Sequence, residues 1–342
     1  MTEHYNLALF GFGNVGQALA RLLQRKEDEL KDTYGITTRI TAITTGSHGS
    51  AVDPDGINID KALEIIKAGG LLDPLSASPA PEDKIAFIKA CGADVLFENS
   101  PVSYTDGQPA INYIRAALQS GMHVFTANKG PVVHAFRELT ELAESLGKKF
   151  YFESTVMDGA PVFAVFRELP AANLIGLKGI LNSTTNLMLS RMENGESFDD
   201  AVKYAQSVGI AETDPSGDVD GWDAAVKVSA LVTVLMGVPL KPQQMDVTGI
   251  RDITPGQIEE ARVQGKRWKL VCTARKEGGQ VTAKVAPQMV GPDTPMFTVD
   301  GSTSIVQFET DVLGELTMIE ADPGPHTTAY GLLADFVNAV KK

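Results

Sequence analysis

"NLALFGFGNVGQALARLL" occupies residues 6–23, and its reading decides how the chain begins to fold. The apolar run 6–10 stops at a glycine. Beyond it "NVGQALARLLQRKEDELK" (14–31) reads as one helical stretch, with Val15, Leu19, Leu22 and Leu23 on one face and the later Lys and Glu residues facing solvent, which predicts a strand, a tight turn and a helix. The turn itself, "GFGNVG" (11–16), carries three glycines, each with its own physical reason. Gly11 permits the sharp bend, Gly13 lets the backbone approach a pyrophosphate, and Gly16 lets the helix sit close to the sheet. The start of the helix offers unpaired N–H groups and partial positive charge to phosphates. Phe12, Asn14 and Val15, lying between the glycines, belong to the same candidate site.

Working outward, "RITAIT" (39–44), "DVLFEN" (94–99), "HVFTA" (123–127) and "KFYFES" (149–154) read as further strands. Helical stretches around "EDKIAFIKAC", "PAINYIRAALQSG" and "FRELTELAESLG" separate them. Strands alternating with helices predict a parallel, doubly wound sheet of Rossmann type. After about Glu153 the rhythm changes: helices are expected over 161–170, 184–193, 198–208 and 221–236, with one strand at 177–182. "RWKLVCTARKEGGQVTAKVAPQMV" then reads as a hairpin turning at Gly278-Gly279, and "STSIVQFETD" with "GELTMIEA" as another antiparallel pair. The expected architecture is an α/β dinucleotide domain over 1–135 and a second α+β domain for substrate binding and dimerisation over 136–321. A terminal helix, about 322–342, packs back on the first domain.

At 342 residues two domains are the default. A hydrophobic fraction of 43% and a charged fraction of 21% describe an ordinary globular protein, and a net charge of -13 argues against nucleic acid as a partner. Two cysteines, Cys91 and Cys272, form no disulfide framework or metal-type spacing. With no signal-like N-terminus and no apolar run of membrane-spanning length, a reducing, cytoplasmic location is expected.

The second strand decides which dinucleotide is preferred. A carboxylate there would accept bonds from the ribose hydroxyls of NAD. Instead "TTGSHGS" follows, with no acid until Asp53. Thr44, Thr45, Ser47 and His48 could accommodate a 2′-phosphate, which favours NADP and leaves NAD possible, although no arginine is present. Ser100, just past the strand at 94–99, joins the expected cofactor contacts.

A second stretch asks for explanation. "AETDPSGDVDGWDAAVKV" (211–228) crowds Glu212, Asp214, Asp218, Asp220 and Asp223 ahead of Lys227. Asp223 and Lys227 stand four apart, so on a helix they share a face. A surface ion pair there would contribute only tenths of a kcal/mol, roughly. The helix, however, runs on as "VSALVTVLMG", which should be buried, and a lysine entering such a helix needs partners. Carboxylates for an ammonium, and a lysine for a carboxylate or a reacting oxygen, together suit a small zwitterionic amino acid. Lys129, in "TANKG" (126–130), lies near a strand's carboxyl end, where ligands bind in open α/β sheets.

These segments resemble the homoserine dehydrogenase family along nearly the whole chain. "GFGNVG", "TANKGPV", "FESTVMDGAPV", "GILNSTTNLMLSRMENG", "AQSVGIAETDPSGDVDGWDAAVKV" and "TTAYGLLADF" carry the resemblance. It implies interconversion of L-homoserine and L-aspartate 4-semialdehyde with NAD(P), in the pathway to threonine, methionine and isoleucine, by a homodimer. The form implied is short and monofunctional, without kinase or regulatory domain. By the same resemblance Glu212 binds the substrate ammonium, Asp223 and Lys227 face the reacting hydroxyl, and Lys129 is the other essential lysine. Asp214, Asp218 and Thr184 contact or support the substrate, and Gly324 approaches the cofactor. A monovalent cation would be held at Glu153, Val156, Asp158 and Ala160, mostly by main-chain carbonyls.

The chain departs from the family pattern at Met157 and Asp158, which stand where small residues are usual, and at "NSTTN" in place of "NGTTN". These departures bear on the substrate more than on the reaction. A related dehydrogenase of another small hydroxy or amino acid therefore stays open, as does a non-catalytic nucleotide sensor. An aspartate-semialdehyde dehydrogenase would need an activated thiolate, which neither cysteine resembles.

Overall fold

The computed structural model describes residues 2–341. It divides into two compact units, one running to Pro161 and resuming at Gly324, the other spanning Val162–Pro323.

The first unit begins β1 (Glu3–Phe10), α1 (Asn14–Arg25), α2 (Glu27–Tyr34), β2 (Ile36–Thr44), β3 (Ser50–Val52) and α3 (Ile59–Lys67). It continues α4 (Lys84–Ala90), β4 (Val95–Glu98), α5 (Ala110–Gln119), β5 (His123–Thr126), α6 (Lys129–Ser145) and β6 (Phe150–Tyr151). Its sheet has the order β3-β2-β1-β4-β5-β6. All pairs are parallel except the β2–β3 edge. Strand β1 is central, and Leu7, Ala8, Leu9 and Phe10 are all buried, as a strand covered on both faces requires. Phe10 packs against Phe87 of α4 and Tyr113 of α5, with ring centroids 5.7 and 5.2 Å away.

The second unit contains α7 (Val162–Arg167), β7 (Leu174–Ile180), α8 (Ser183–Glu193), α9 (Phe198–Ser207), α10 (Ser216–Val219) and α11 (Trp222–Leu235). Then come β8 (Asp246–Val247), α12 (Pro255–Val263), β9 (Arg267–Glu277), β10 (Gln280–Val290), β11 (Ser304–Thr310) and β12 (Gly314–Glu320). Its sheet runs β12-β11-β7-β9-β10-β8, antiparallel except for the short β8–β10 pair. The chain ends in α13 (Pro325–Val340), which belongs to the first unit. There Leu332, Leu333 and Phe336 join the core formed by Leu7, Leu9 and the α1 leucines. Phe336 meets Phe97 and Phe125 edge-on at 6.0 and 6.1 Å.

Three sequence expectations change. The first unit extends to Pro161 rather than ending near residue 135, because α6 and β6 add its last parallel strand, pairing Val124 with Phe150 and Phe125 with Tyr151. That strand stops at Tyr151, not at residue 154, since the chain turns to dock on α13. The Glu153 N–H donates to the buried Asp335 carboxylate (2.7 Å), and Ser154 Oγ donates to the Thr328 carbonyl (2.7 Å). Finally, the helix after the glycine turn breaks at Lys26, whose backbone (φ -101°, ψ 8°) leaves helical space.

The turn and α13 approach so closely that a Cβ on Gly331 would stand 2.3 Å from Ser154 Oγ and 2.8 Å from the Asp158 carbonyl oxygen. Gly331→Ala would gain about 1 kcal/mol of helix propensity and lose about 1–3 kcal/mol to overpacking. A lowered Tm is therefore expected in thermal melts. An unchanged or higher Tm would mean that the 153–160 turn yields freely.

Candidate active site

In the first unit the glycine turn is built for close approach. Gly11 has φ +91°, and a Cβ there would sit 2.3 Å from the Asn99 carbonyl oxygen. A Cβ on Gly16 would meet the Gly11 carbonyl oxygen at the same distance. Gly13, the N-cap of α1, is instead open, with nothing within 4 Å of a built Cβ. No acid occupies the first turn of α1, so its positive end is left for an anion. The dinucleotide's pyrophosphate fits this cradle. Asn14 is exposed and Val15 half-buried at its mouth, whereas Phe12 is buried beneath it.

The neighbouring strand ends are tied together by one fully buried carboxylate. Glu98 accepts from the Ser100 N–H (2.9 Å), from the Ser100 hydroxyl at very short range and from Thr126 Oγ1 (2.8 Å). Burial pushes its pKa up, and these hydrogen bonds oppose the shift. Asn128 then caps α6, accepting from the Gly130 N–H (3.0 Å) and donating to the Ser100 carbonyl (3.1 Å). Lys129, the first residue of α6, thereby stands at the carboxyl end of β5. Gly324 caps α13 in extended conformation, with open space around it, and its N–H donates to Thr327 Oγ1 (2.9 Å).

In the second unit the charged stretch comes to a point. Asn182, the N-cap of α8, accepts from the Thr185 N–H (2.8 Å). Its amide nitrogen donates to Asp218 Oδ1 (2.7 Å) and Asp223 Oδ2 (3.0 Å). The Lys227 ammonium lies 3.0 Å from Asp223 Oδ2 and donates to the Leu181 carbonyl (2.7 Å). The two paired side chains are only 14% and 10% exposed, so this is no surface ion pair. Burial raises the Asp218 pKa, and the like charge of Asp223 raises it further. Thr184 is buried beside them, its hydroxyl 3.4 Å from the Ile210 carbonyl.

One homoserine dehydrogenase family model matches residues 161–337, and the NAD binding domain model of the same family matches residues 11–153. The NAD(+)-dependent homoserine dehydrogenase of Pseudomonas canavaninivorans is 35% identical over 340 residues, covering 99% of this chain and 96% of its own. The chain belongs to the homoserine dehydrogenase family. A putative homoserine dehydrogenase from Archaeoglobus fulgidus shares the fold with a TM-score of 0.86 at 33% identity, each chain covered to 100%. A hyperthermophilic archaeal homoserine dehydrogenase in complex with NADPH reaches 0.83 at 28% identity, with 98% of each chain covered. As a member of the homoserine dehydrogenase family, this chain is an NAD(P)-dependent oxidoreductase of amino-acid biosynthesis.

Not every expected residue is free for a ligand. Thr44 is buried, and its hydroxyl lies 2.6 Å from Ser50 Oγ. The Thr45 hydroxyl accepts from the His48 N–H (2.6 Å) and donates to the Gly49 carbonyl (3.1 Å), so both threonines shape the loop. Asp214 Oδ1 accepts from the N–H and hydroxyl of Ser216 (3.0 and 2.6 Å), which ties this carboxylate to its own turn. Asp220 leaves the cluster to pair with Arg251 at 2.8 Å.

The four residues expected to hold the cation lie on the turn at 153–160, where Glu153 and Val156 are buried. The Asp158 carbonyl packs against Gly331, and the Ala160 N–H closes the turn on the Met157 carbonyl (2.7 Å). No group of three His, Cys, Asp or Glu side chains among the described residues could hold a metal. Neither cysteine is a nucleophile: both are buried, and burial pushes Cys272 up to about 12.

Two contributors escaped the sequence reading. Asn182 was legible as an N-cap before a helical run, though its reach to both aspartates was not. Lys84 sits 40 positions from Thr44, whose hydroxyl oxygen accepts from it at 2.5 Å.

The raised pKa of Asp218 gives a signed prediction. A carboxyl that binds its proton more tightly in the fold stabilises fully below its ordinary value of 3.8. That stability is lost as pH rises through the raised folded value. At pH about 7 the ionised group is therefore a burden, and Asp218→Asn should melt at or above wild type. The gap should close as pH falls toward about 4. A variant less stable by the same margin at every pH would show that the charge is favourably paired.

Proposed function

We propose that this chain interconverts L-homoserine and L-aspartate 4-semialdehyde, with the Asn182–Asp218–Asp223–Lys227 cluster in its substrate site. The observation that supports this reading is the near-dry Asp223–Lys227 pair with a second carboxylate joined to it through one amide. When bound, the nicotinamide supplies or accepts the hydride.

The chain's own residues handle charge and protons. In the reductive direction the Lys227 ammonium, steadied by Asp223 and the Leu181 carbonyl, donates to the substrate's carbonyl oxygen and then protonates it as the alcohol forms. In oxidation the hydroxyl proton returns to that nitrogen. Lys129 is the second proton-transfer candidate. Glu212 takes the substrate ammonium, a role supported by an exposed carboxylate with no hydrogen bond or ion pair among the described residues. Asp218 and Thr184 support the same end, and Asp214 holds the loop that carries Glu212. Gly11–Gly16, Ser100 and Gly324 line the dinucleotide.

We also infer a homodimer. The open face of the second sheet carries a cavity of about 620 Å³ lined by residues such as Lys178, Arg275, Lys284, Glu309 and Glu315. This mixture of both signs is suited to meeting its own copy. Sedimentation at micromolar concentration should give twice the chain mass, and a monomer would reject this inference. A cytoplasmic location fits the two free thiols. No helix among the described residues is long and apolar enough to cross a membrane.

Following NADPH and NADH formation separately with L-homoserine tests the reaction, and activity only on an analogue would replace the substrate. Lys227→Ala should lower turnover about 10²–10⁴-fold with dinucleotide binding intact, and the same change at Lys129 ranks the two lysines. Glu212→Gln should chiefly raise KM for homoserine, and an unchanged KM would remove its ammonium role.

A further inference from the structure

Lys84 opens α4 and extends its ammonium onto two hydroxyls, donating to Thr44 Oγ1 (2.5 Å) and Ser50 Oγ (3.1 Å). Thr44 is the last residue of β2, and its carbonyl accepts from the Gly11 N–H (2.9 Å). The ammonium thus lies one strand away from the glycine turn, over the end of β2. No carboxylate lies within ion-pair distance of it among the described residues. Asp73 is the carboxylate that acts on it electrostatically, from farther away, and that side chain rests against Gly49. Burial opposes its charge and lowers its pKa. A cation is therefore held there without a neutralising partner.

In dinucleotide-binding sheets the end of the second strand reads the 2′ position of the adenosine ribose: a carboxylate accepts from free hydroxyls, whereas a cation receives a 2′-phosphate. Residues 44–48 contain no carboxylate, and the hydroxyls of Thr44 and Thr45 are already engaged. The relatives leave the preference open, since one is named as NAD(+)-dependent and another was solved with NADPH. We propose that Lys84 is a specificity-determining residue that receives the 2′-phosphate, so that this chain prefers NADP(H) to NAD(H). This rests on the dinucleotide site at the glycine turn. The competing arrangement on the same surface is Asp73, an exposed carboxylate that would serve the ribose hydroxyls of NAD.

The test is equilibrium binding, by calorimetry or nucleotide fluorescence, of NADPH, NADH and 2′,5′-ADP to wild type, Lys84→Met, Lys84→Arg and Asp73→Asn. Wild type should bind NADPH about tenfold or more tighter than NADH, the scale of a charge-assisted contact. Lys84→Met should remove most of that advantage and weaken 2′,5′-ADP alike, leaving NADH within about twofold. Lys84→Arg should keep the preference. The assignment is overturned if wild type binds NADH more tightly, with Asp73→Asn abolishing the difference. It is equally overturned if Lys84→Met weakens both cofactors alike, the mark of a structural lysine, or if Lys84→Arg loses the preference. Failure of wild type to bind either cofactor would instead strike at the dinucleotide site itself.

Discussion

A single side-chain amide, that of Asn182, holds Asp218 and Asp223 within reach of one ammonium. Two acids and one lysine in a nearly dry place leave surplus negative charge, which the fold on its own has no reason to keep. Burying ions carries a desolvation penalty of several kcal/mol each, roughly, and removing one partner of a buried pair costs about 3–5 kcal/mol. The arrangement survives because its lone pairs and protons are met: the Asn182 amide serves both carboxylates, and the Leu181 carbonyl serves Lys227. The proposed function gives this costly arrangement its reason, a polar place kept for a small substrate at the expense of stability.

The first unit solves a different problem, packing a turn of bare backbone against the start of a helix. Gly11 and Gly16 are crowded by carbonyl oxygens, while Gly13 faces open space, so the same motif uses glycine once for exposure and twice for close packing. The loops around it are held from below. Glu98 clamps Ser100 and Thr126, the Asn128 N–H donates to Thr126 Oγ1, and Asn128 fixes the turn from which Lys129 starts. Helix α13 completes the unit by presenting Phe336 to two strands and Asp335 to the turn at Glu153. The terminal segment is thus core material.

On the proposed reading, the glycine turn supplies affinity and the α8–α11 corner supplies the chemistry. Asp223 stands in the first turn of α11 and Lys227 one turn further on. The other buried residues of α11 are mostly apolar, with Ser229 and Thr233 as the polar exceptions.

Local spacing was enough to determine the strand-glycine-helix opening, the alternation that makes a parallel sheet, the Gly278-Gly279 hairpin and the shared helical face of Asp223 and Lys227. All of these depend on residues within a few positions of each other, where periodicity and turn chemistry are written directly. Only the tertiary structure decided what long-range packing controls. It carried the first unit past residue 135 and ended β6 early against α13. It engaged the hydroxyls of Thr44 and Thr45, paired Asp220 with Arg251, and brought Asn182 to Asp218 and Asp223 and Lys84 to Thr44. A side chain's partner 36 or 40 positions away leaves no local signature. It is set by which elements the buried apolar surface forces together.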